Sequence, residues 1–291
     1  MPETRRSFLA LAAAAAMPRP AAEIQVPKMK FGGVEISRLL VGCNPFYGYS
    51  HFNKTYSAVM REYYTAERVC DVLHQANRFG INAHNMFPAG RGIADYEHFV
   101  GEGGKMHLVA QGVGDDLVGF IRTHKPLAVY HHGGRTDDAL AAGQFNKVRE
   151  WCKQIRDTGV RVGVGTHRPE VIERIESEAW DVDFYAGCVY NISRSDEEWR
   201  RLLGGQLMEM PRDGFVQDDP PRMFATIRAT PKPCFAFKIL AAGRVGNVEA
   251  AFRRAFASIK PTDGVFVGMF PRAADEVRED AELTHRILTT H

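Results

Sequence analysis

The sequence lacks most of the features that announce a function. No glycine-rich dinucleotide turn follows any early strand-like run, which removes the main signature of an open, doubly wound nucleotide-binding sheet. The five cysteines, Cys43, Cys70, Cys152, Cys188 and Cys234, are odd in number, widely spaced and never arranged as Cys-x-x-Cys. That pattern excludes a zinc ribbon and a disulfide framework, and no disulfide is expected. Cys43, Cys188 and Cys234 sit in or beside apolar strand-like runs and read as small buried hydrophobes. Charge of one sign is not in excess: 37 Lys and Arg stand against 35 Asp and Glu, a net of +2. This balance gives no electrostatic case for nucleic acid, and no nucleic-acid-binding motif interrupts the chain. Internal repeats and low-complexity tracts are also missing.

What is present begins with a segment set apart from the rest. Arg5-Arg6-Ser7-Phe8-Leu9 leads into the apolar stretch Ala10 to Ala16, followed by Met17 and Pro18. Paired arginines, a short apolar run and small residues around 16–22 predict a bacterial twin-arginine export signal over residues 1–22. The expectations are a periplasmic or otherwise exported location and engagement by the twin-arginine translocation machinery. The stretch is too short to be a stable membrane span.

From residue 28 to 291 the chain alternates apolar runs with helix-period segments. Residues 30–36, with Gly32-Gly33 in the middle, read as a β-hairpin. Strand-like runs follow at 38–43, 81–85, 106–111, 127–130, 161–165, 184–189, 234–240 and 264–267. Helical stripes occupy 65–78 (capped by Thr65 and stopped by Gly80), 115–122, 145–157, 169–177, 248–258 and 274–288. Eight strands separated mostly by helices predict an α/β fold, a single (β/α)8 TIM barrel with an N-terminal β-hairpin. The excursion 193–231, with Pro211, Pro220 and Pro221, reads as a long loop or lid over the barrel mouth.

The order of local signals resembles the aldo-keto reductase family across nearly the whole chain after the leader. Val34-Glu35-Ile36-Ser37 running into Leu39-Leu40-Val41-Gly42 is similar to that family's opening. Phe79-Gly80-Ile81-Asn82, the run Gly159 to Gly165, Val189-Tyr190-Asn191 and Leu240-Ala241-Ala242-Gly243 are similar to later family stretches in the same order. The resemblance implies a barrel of this lineage, and it also implies what has been lost. The family's tyrosine acid is assisted by a lysine paired with an aspartate. The aspartate position is Asn85, the tyrosine position falls near Gly90 and the lysine position is Gln111. Only the substrate-orienting histidine is kept, as His131 or His132. The nicotinamide-binding Ser-Asn pair is replaced by Thr166-His167, and the glutamine after it by Gly187. Phe237 keeps the stacking aromatic, but Lys238-Ile239 follows it, and Arg272 offers one cation where a 2′-phosphate would bind. Freely exchanging NADPH is moreover a cytoplasmic currency, so an exported enzyme would have to hold its cofactor tightly. NADPH-dependent reduction is therefore not expected.

Barrels of this class build function at the C-terminal ends of their strands. Those ends supply Asn44, His84, Asn85, Gln111, His131, His132, Thr166, His167, Tyr190, Asn191, Lys238 and Arg272, with Arg244 just beyond. Each lone histidine is more often a hydrogen-bonded structural residue. Three together, His84, His132 and His167, form a candidate site for a zinc-like divalent metal. Neighbours on a strand face opposite sides, so His131 and His132 cannot both point inward, and His132 is the choice because Gly133-Gly134 leave it unobstructed. Lys238 stands in an otherwise apolar run, where desolvation lowers an amine's pKa and suits a Schiff-base nucleophile or a general base. His84, His132 and Lys238 are the candidate catalytic residues. Asn44, Asn85, Gln111, Tyr190, Asn191, Arg244 and Arg272 are the candidate substrate-binding ones. The expected activity is a non-redox enzyme of lyase, hydratase, isomerase or aldolase type on a small sugar-like or oxo-acid substrate. A reductase with an unusual, tightly bound NAD(P) and a catalytically silent ligand-binding barrel are the alternatives.

Overall fold

A computed structural model describes residues 24–204 and 213–290. The expected export signal lies outside the described residues. The first elements are β1 (Lys28–Phe31) and β2 (Val34–Ser37), an antiparallel pair with Phe31 opposite Val34 and Met29 opposite Ile36. Gly32 and Gly33 turn the hairpin at φ +60° and +87°, left-handed values that a tight two-residue turn requires and that cost glycine nothing sterically. Met29, Phe31 and Ile36 bury their side chains against the barrel interior. The Phe31 ring meets Phe184 and Phe235 edge-on at 5.3 and 5.2 Å, so the hairpin plugs the end from which the strands start.

Eight parallel strands close the barrel: β3 (Leu39–Gly42), β4 (Ala83–Met86), β5 (His107–Gly112), β6 (Ala128–His131), β7 (Arg161–Thr166), β8 (Phe184–Cys188), β9 (Cys234–Phe237) and β10 (Gly264–Gly268). Closure comes from β10 pairing with β3, Val265 opposite Leu39 and Gly268 opposite Gly42. Strand residues alternate between two cores. Leu40, Val109, Phe184, Phe235 and Phe266 fill the barrel, interleaved with Ala83, Ala128 and Ala186. Gly163 belongs to this packing, because a Cβ there would sit 2.5 Å from the Phe184 ring. Phe184→Ala would open a cavity costing about 3–5 kcal/mol. The other parity, with Leu39, Val41, Val129, Val162, Val164 and Val265, packs outward against the helices.

Eleven helices are present among the described residues: α1 (Lys54–Tyr63), α2 (Ala66–Arg78), α3 (Gly92–Gly101), α4 (Leu117–His124), α5 (Gly133–Ala141), α6 (Phe145–Arg156), α7 (Pro169–Ser177), α8 (Asp196–Leu203), α9 (Asp219–Ala229), α10 (Val248–Ser258) and α11 (Glu276–Thr289). Thr65 caps α2 by accepting from the Arg68 N–H, as its sequence position predicts. The excursion after β8 is not one loop. It carries α8, opened by a reciprocal capping box between Ser195 and Glu198, and α9, with Pro220 and Pro221 in its first turn. None of the described helices is long and apolar enough to cross a membrane.

Candidate active site at the barrel mouth

Polar side chains gather where the inward parity of the strands reaches the mouth. Asn85 follows Ala83 by two residues, Gln111 follows Val109, Tyr130 and His132 follow Ala128, and His167 continues the inward line of Gly163 and Gly165. All five line one cavity of about 1160 Å³, together with Asn44, His51, Phe237 and Lys238.

His167 is the most fully organised of them. Its ring Nδ1 lies 2.7 Å from Asp137 Oδ2, and its backbone N–H donates to the same oxygen at 3.0 Å. Ser193 Oγ also donates to Oδ2 at 2.7 Å, and Thr166 Oγ1 donates to Oδ1 at 2.5 Å. Burial pushes the Asp137 carboxyl up, but the hydrogen bonds from His167, Thr166 and Ser193 outweigh it, and the group stays below the usual carboxylate range. With Nδ1 as the donor, Nε2 is left as a basic lone pair on a ring that lines the cavity. The chain reaches this geometry through Gly133. A Cβ at that residue would stand 3.2 Å from the Thr166 N and 3.3 Å from the His167 ring. A bare glycine therefore lets α5 press against the end of β7, and Asp137 follows one turn later.

A second acid–imidazole pair faces the first across the mouth. His51 Nδ1 is 3.3 Å from Asp213 Oδ1, and its Nε2 is 3.2 Å from the Asn44 amide nitrogen. The amide can only donate, so Nε2 accepts and Nδ1 carries the proton. Lys238 belongs to the same group. It sits one residue past β9 in the left-handed region, φ +59°, so it does not continue the strand as the apolar run predicts. Its Nζ lies 5.3 Å from the Phe237 ring centre and makes no hydrogen bond or ion pair among the described residues. Burial lowers the amine's pKa, opposed by Cys188, Asp213 and Asp137. In turn the Lys238 charge, after burial, helps hold His51, His132 and His167 below the usual imidazole value. His132 is pushed down to about 4, and its Nδ1 is buried without a partner.

The cavity floor is a network of neutral groups. Asn85 Nδ2 donates to Tyr130 Oη at 2.9 Å and to the Val109 carbonyl at 3.3 Å. Gln111 Nε2 donates to Cys43 Sγ at 3.2 Å and to Asn85 Oδ1 at 3.4 Å. Burial raises the Tyr130 hydroxyl and lifts the Cys43 thiol to about 12, so both stay protonated. One flank of the cavity is lined by the carboxyl groups of Glu276, Glu279 and Asp280 of α11. Burial and the neighbouring Glu276 and Glu279 hold the Asp280 carboxyl well above its usual range.

Several sequence-predicted residues stand elsewhere. His84 has the wrong parity: its ring turns into the layer between strands and helices, bonds the Val41 carbonyl at 2.9 Å and packs on Phe46. Asn85, its neighbour, takes the inward place. The His84–His132–His167 metal centre is therefore not formed. His131 likewise faces outward, against Trp151 and Thr136. Tyr190 is buried against Phe215, and Asn191 holds the turn into Ser193 and Asp219. Arg244 is spent on the His51 and Ala241 carbonyls and on the Phe52 and Phe215 rings. Arg272 is exposed beside a separate shallow depression with Arg68 and Asp71. The sequence reading did not single out Asp137, Ser193, His51, Asp213, Tyr130 or Cys43 as site residues. Only the Gly133-Gly134 pair hinted at the close approach that brings Asp137 in.

No family model matches the chain, and no curated protein matches it. Among solved structures it is similar to an uncharacterized B. cereus protein at 13% identity and TM-score 0.44, over 77% of this chain and 62% of that one. It thus spans less than two thirds of that protein's length. A thermostable aldo-keto reductase solved with the inhibitor epalrestat shares 13% identity at TM-score 0.46, over 89% of this chain and 94% of that one. A sugar phosphate isomerase/epimerase from Parabacteroides distasonis ATCC 8503 shares 11% identity at TM-score 0.37, over 85% and 92%. At these scores the likenesses carry nothing about chemistry.

Proposed function

We propose that this protein is a Schiff-base lyase of the aldolase type, acting on a small sugar-like or oxo-acid carbonyl compound, on a divergent barrel of aldo-keto-reductase lineage. Lys238 carries this reading: a desolvated amine without a protein partner among the described residues, lining a cavity that also holds an aspartate-held imidazole. Burial that lowers an amine's pKa enlarges its unprotonated fraction, the form that attacks a carbonyl carbon. The Nζ lone pair adds to that carbon, and the carbonyl oxygen takes up two protons and leaves as water, giving an iminium. His167 Nε2 then accepts the proton of a hydroxyl on the β carbon. The carbon–carbon bond breaks, its electrons flow to the iminium nitrogen, and an aldehyde departs. The enamine is reprotonated at carbon, and water releases the second product and the free amine. Asp137 holds the imidazole in the accepting tautomer and stabilises the imidazolium that forms.

This reading uses no nicotinamide. Support comes from the scarcity of cations, since Arg135 and Lys238 are the only Lys or Arg lining the cavity among the described residues. The phosphates of a dinucleotide would find few cations there to pair with.

The test is reductive trapping. The full chain is incubated with aldoses, ketoses and 2-oxo acids in the presence of cyanoborohydride, and the adduct is located by peptide mass spectrometry. At least one compound is expected to leave a single reduced adduct on Lys238, absent from Lys238→Arg. No adduct from any compound, or adducts scattered over surface lysines, would overturn the proposal.

A further inference from the structure

Outside the barrel mouth, a second set of chemistry-bearing side chains lies between α2 and α3. Cys70 and His74 stand four residues apart on α2, and His98 and Glu102 stand four apart at the end of α3. Residues at that spacing share one face of a helix, so the two pairs are presented toward the seam between α2 and α3, as in two-helix metal sites. The Cys70 sulfur, a ring nitrogen of His98 and a carboxylate oxygen of Glu102 all lie within 4.8 Å of one another. His98 Nε2 is 3.3 Å from one Glu102 oxygen, and His74 Nε2 is 3.1 Å from the other. None of the four lines the cavity.

We propose that Cys70, His98 and Glu102 bind one zinc-like divalent cation that ties α2 to α3, with His74 holding the other Glu102 oxygen beside it. The donor set is the mixture of sulfur, nitrogen and oxygen that zinc prefers, and it excludes calcium and magnesium, which take all-oxygen shells. Ligand atoms of a tetrahedral zinc lie about 3.3–3.8 Å apart, given bonds of roughly 2.0–2.3 Å. His98 Nε2 and Glu102 Oε1 already stand at about that spacing, 3.3 Å, and both side chains are partly exposed. Cys70 is buried, with only a long contact of 3.7 Å from its thiol to the Asp95 carbonyl. On binding, the thiol proton leaves to solvent as the sulfur–metal bond forms. The neighbouring Asp95 carboxylate is already engaged by Arg91 at 2.7 Å. Because the cation bridges two outer helices, its role is structural, and it is independent of the Lys238 chemistry.

The experiment uses the full chain, stripped with chelator and titrated with zinc(II) or cobalt(II) alone. One equivalent is expected to bind. The cobalt form should show thiolate-to-metal charge-transfer absorption, and zinc should raise the melting temperature. In the double variant His98→Ala/Glu102→Gln, both changes on exposed side chains, affinity should fall by at least roughly tenfold, the loss that even supporting shells cause. Cys70→Ser should remove the charge-transfer band. His132→Ala, at the mouth, should change none of these readouts. Retention of one tight equivalent in the double variant, or cobalt binding without a thiolate band, would overturn the proposal.

Discussion

The Asp137 carboxylate accepts both the ring Nδ1–H and the backbone N–H of His167, at 2.7 and 3.0 Å. One oxygen thereby fixes the tautomer of the imidazole and the position of the chain that carries it. Asp137→Asn should keep the fold but hold the ring poorly. The rate of the carbon–carbon cleavage is expected to fall by about 10²–10⁴, the usual worth of a positioned general base. The carboxylate also raises the imidazole pKa against burial, so its loss moves the acid limb of activity to lower pH. Histidine NMR titration of wild type and variant checks the direction without needing turnover. An unchanged His167 titration would remove the positioning role.

The buried His84 makes the fold acid-sensitive in a defined window. Its folded pKa is depressed by burial to about 4, below the unfolded value of about 6.5. Above the unfolded value both states are neutral and this group contributes no pH dependence. As pH falls from about 6.5 toward 4, the unfolded chain binds a proton that the folded chain refuses, and stability drops by up to about 1.4 kcal/mol per pH unit. His84→Leu should therefore flatten the acid limb of urea midpoints measured from pH 7 to 4. At pH 7 it should cost about 1 kcal/mol for the lost bond to the Val41 carbonyl. A limb as steep as the wild type's would show that His84 is not responsible.

How much of this was legible in the sequence depends on how far apart the cooperating residues lie. Apolar runs bounded by helical stripes gave the barrel, and the Gly32-Gly33 turn gave the hairpin, because both are local patterns. Strand ends gave His132, His167, Asn85 and Gln111 at the mouth. Strand alternation also forbids His84 and Asn85 from facing the cavity together, and the structure turns Asn85 inward. Asp137 was hidden because it meets His167 across 30 residues, from a helix that begins with two poor helix formers. Asp213 was hidden for the same reason, at a distance of 162 residues from His51. The excursion after β8 read as a loop because its prolines stood out more than its Ser195–Glu198 capping box, although both were in view.

A dinucleotide titration addresses the cofactor directly. With Arg135 and Lys238 the only Lys or Arg on the cavity lining among the described residues, NADPH fluorescence is expected to show no saturable binding, and simple aldehydes no turnover. Stoichiometric, tight NADPH binding with turnover would reverse the reading of Asn85 and Gln111 as replacements that remove reductase chemistry.

The backbone at Lys238 should trade stability for function. A non-glycine residue at φ +59° is held there at a cost of about 1–3 kcal/mol, tolerated only where surrounding structure imposes it. The Ala241 N–H bonds the Lys238 carbonyl at 2.8 Å, and Ala241 and Ala242 are themselves at φ +48° and +53°, so the turn leaves the backbone little freedom to relax. Lys238→Gly removes the steric strain and the desolvated amine together. The added freedom of the unfolded chain offsets part of that gain, by about 0.4–1 kcal/mol. A net stabilisation of roughly 1 kcal/mol should appear as a rise of about 2–4 °C in melting temperature for a chain of this size. The same variant should lose reductive trapping, and its His132 and His167 should titrate at higher pH because Lys238's charge no longer opposes theirs. Calorimetry and histidine NMR on one preparation read both effects. A lower melting temperature would show that the Lys238 side chain stabilises the mouth, and histidine titrations left in place would show that its charge does not reach them.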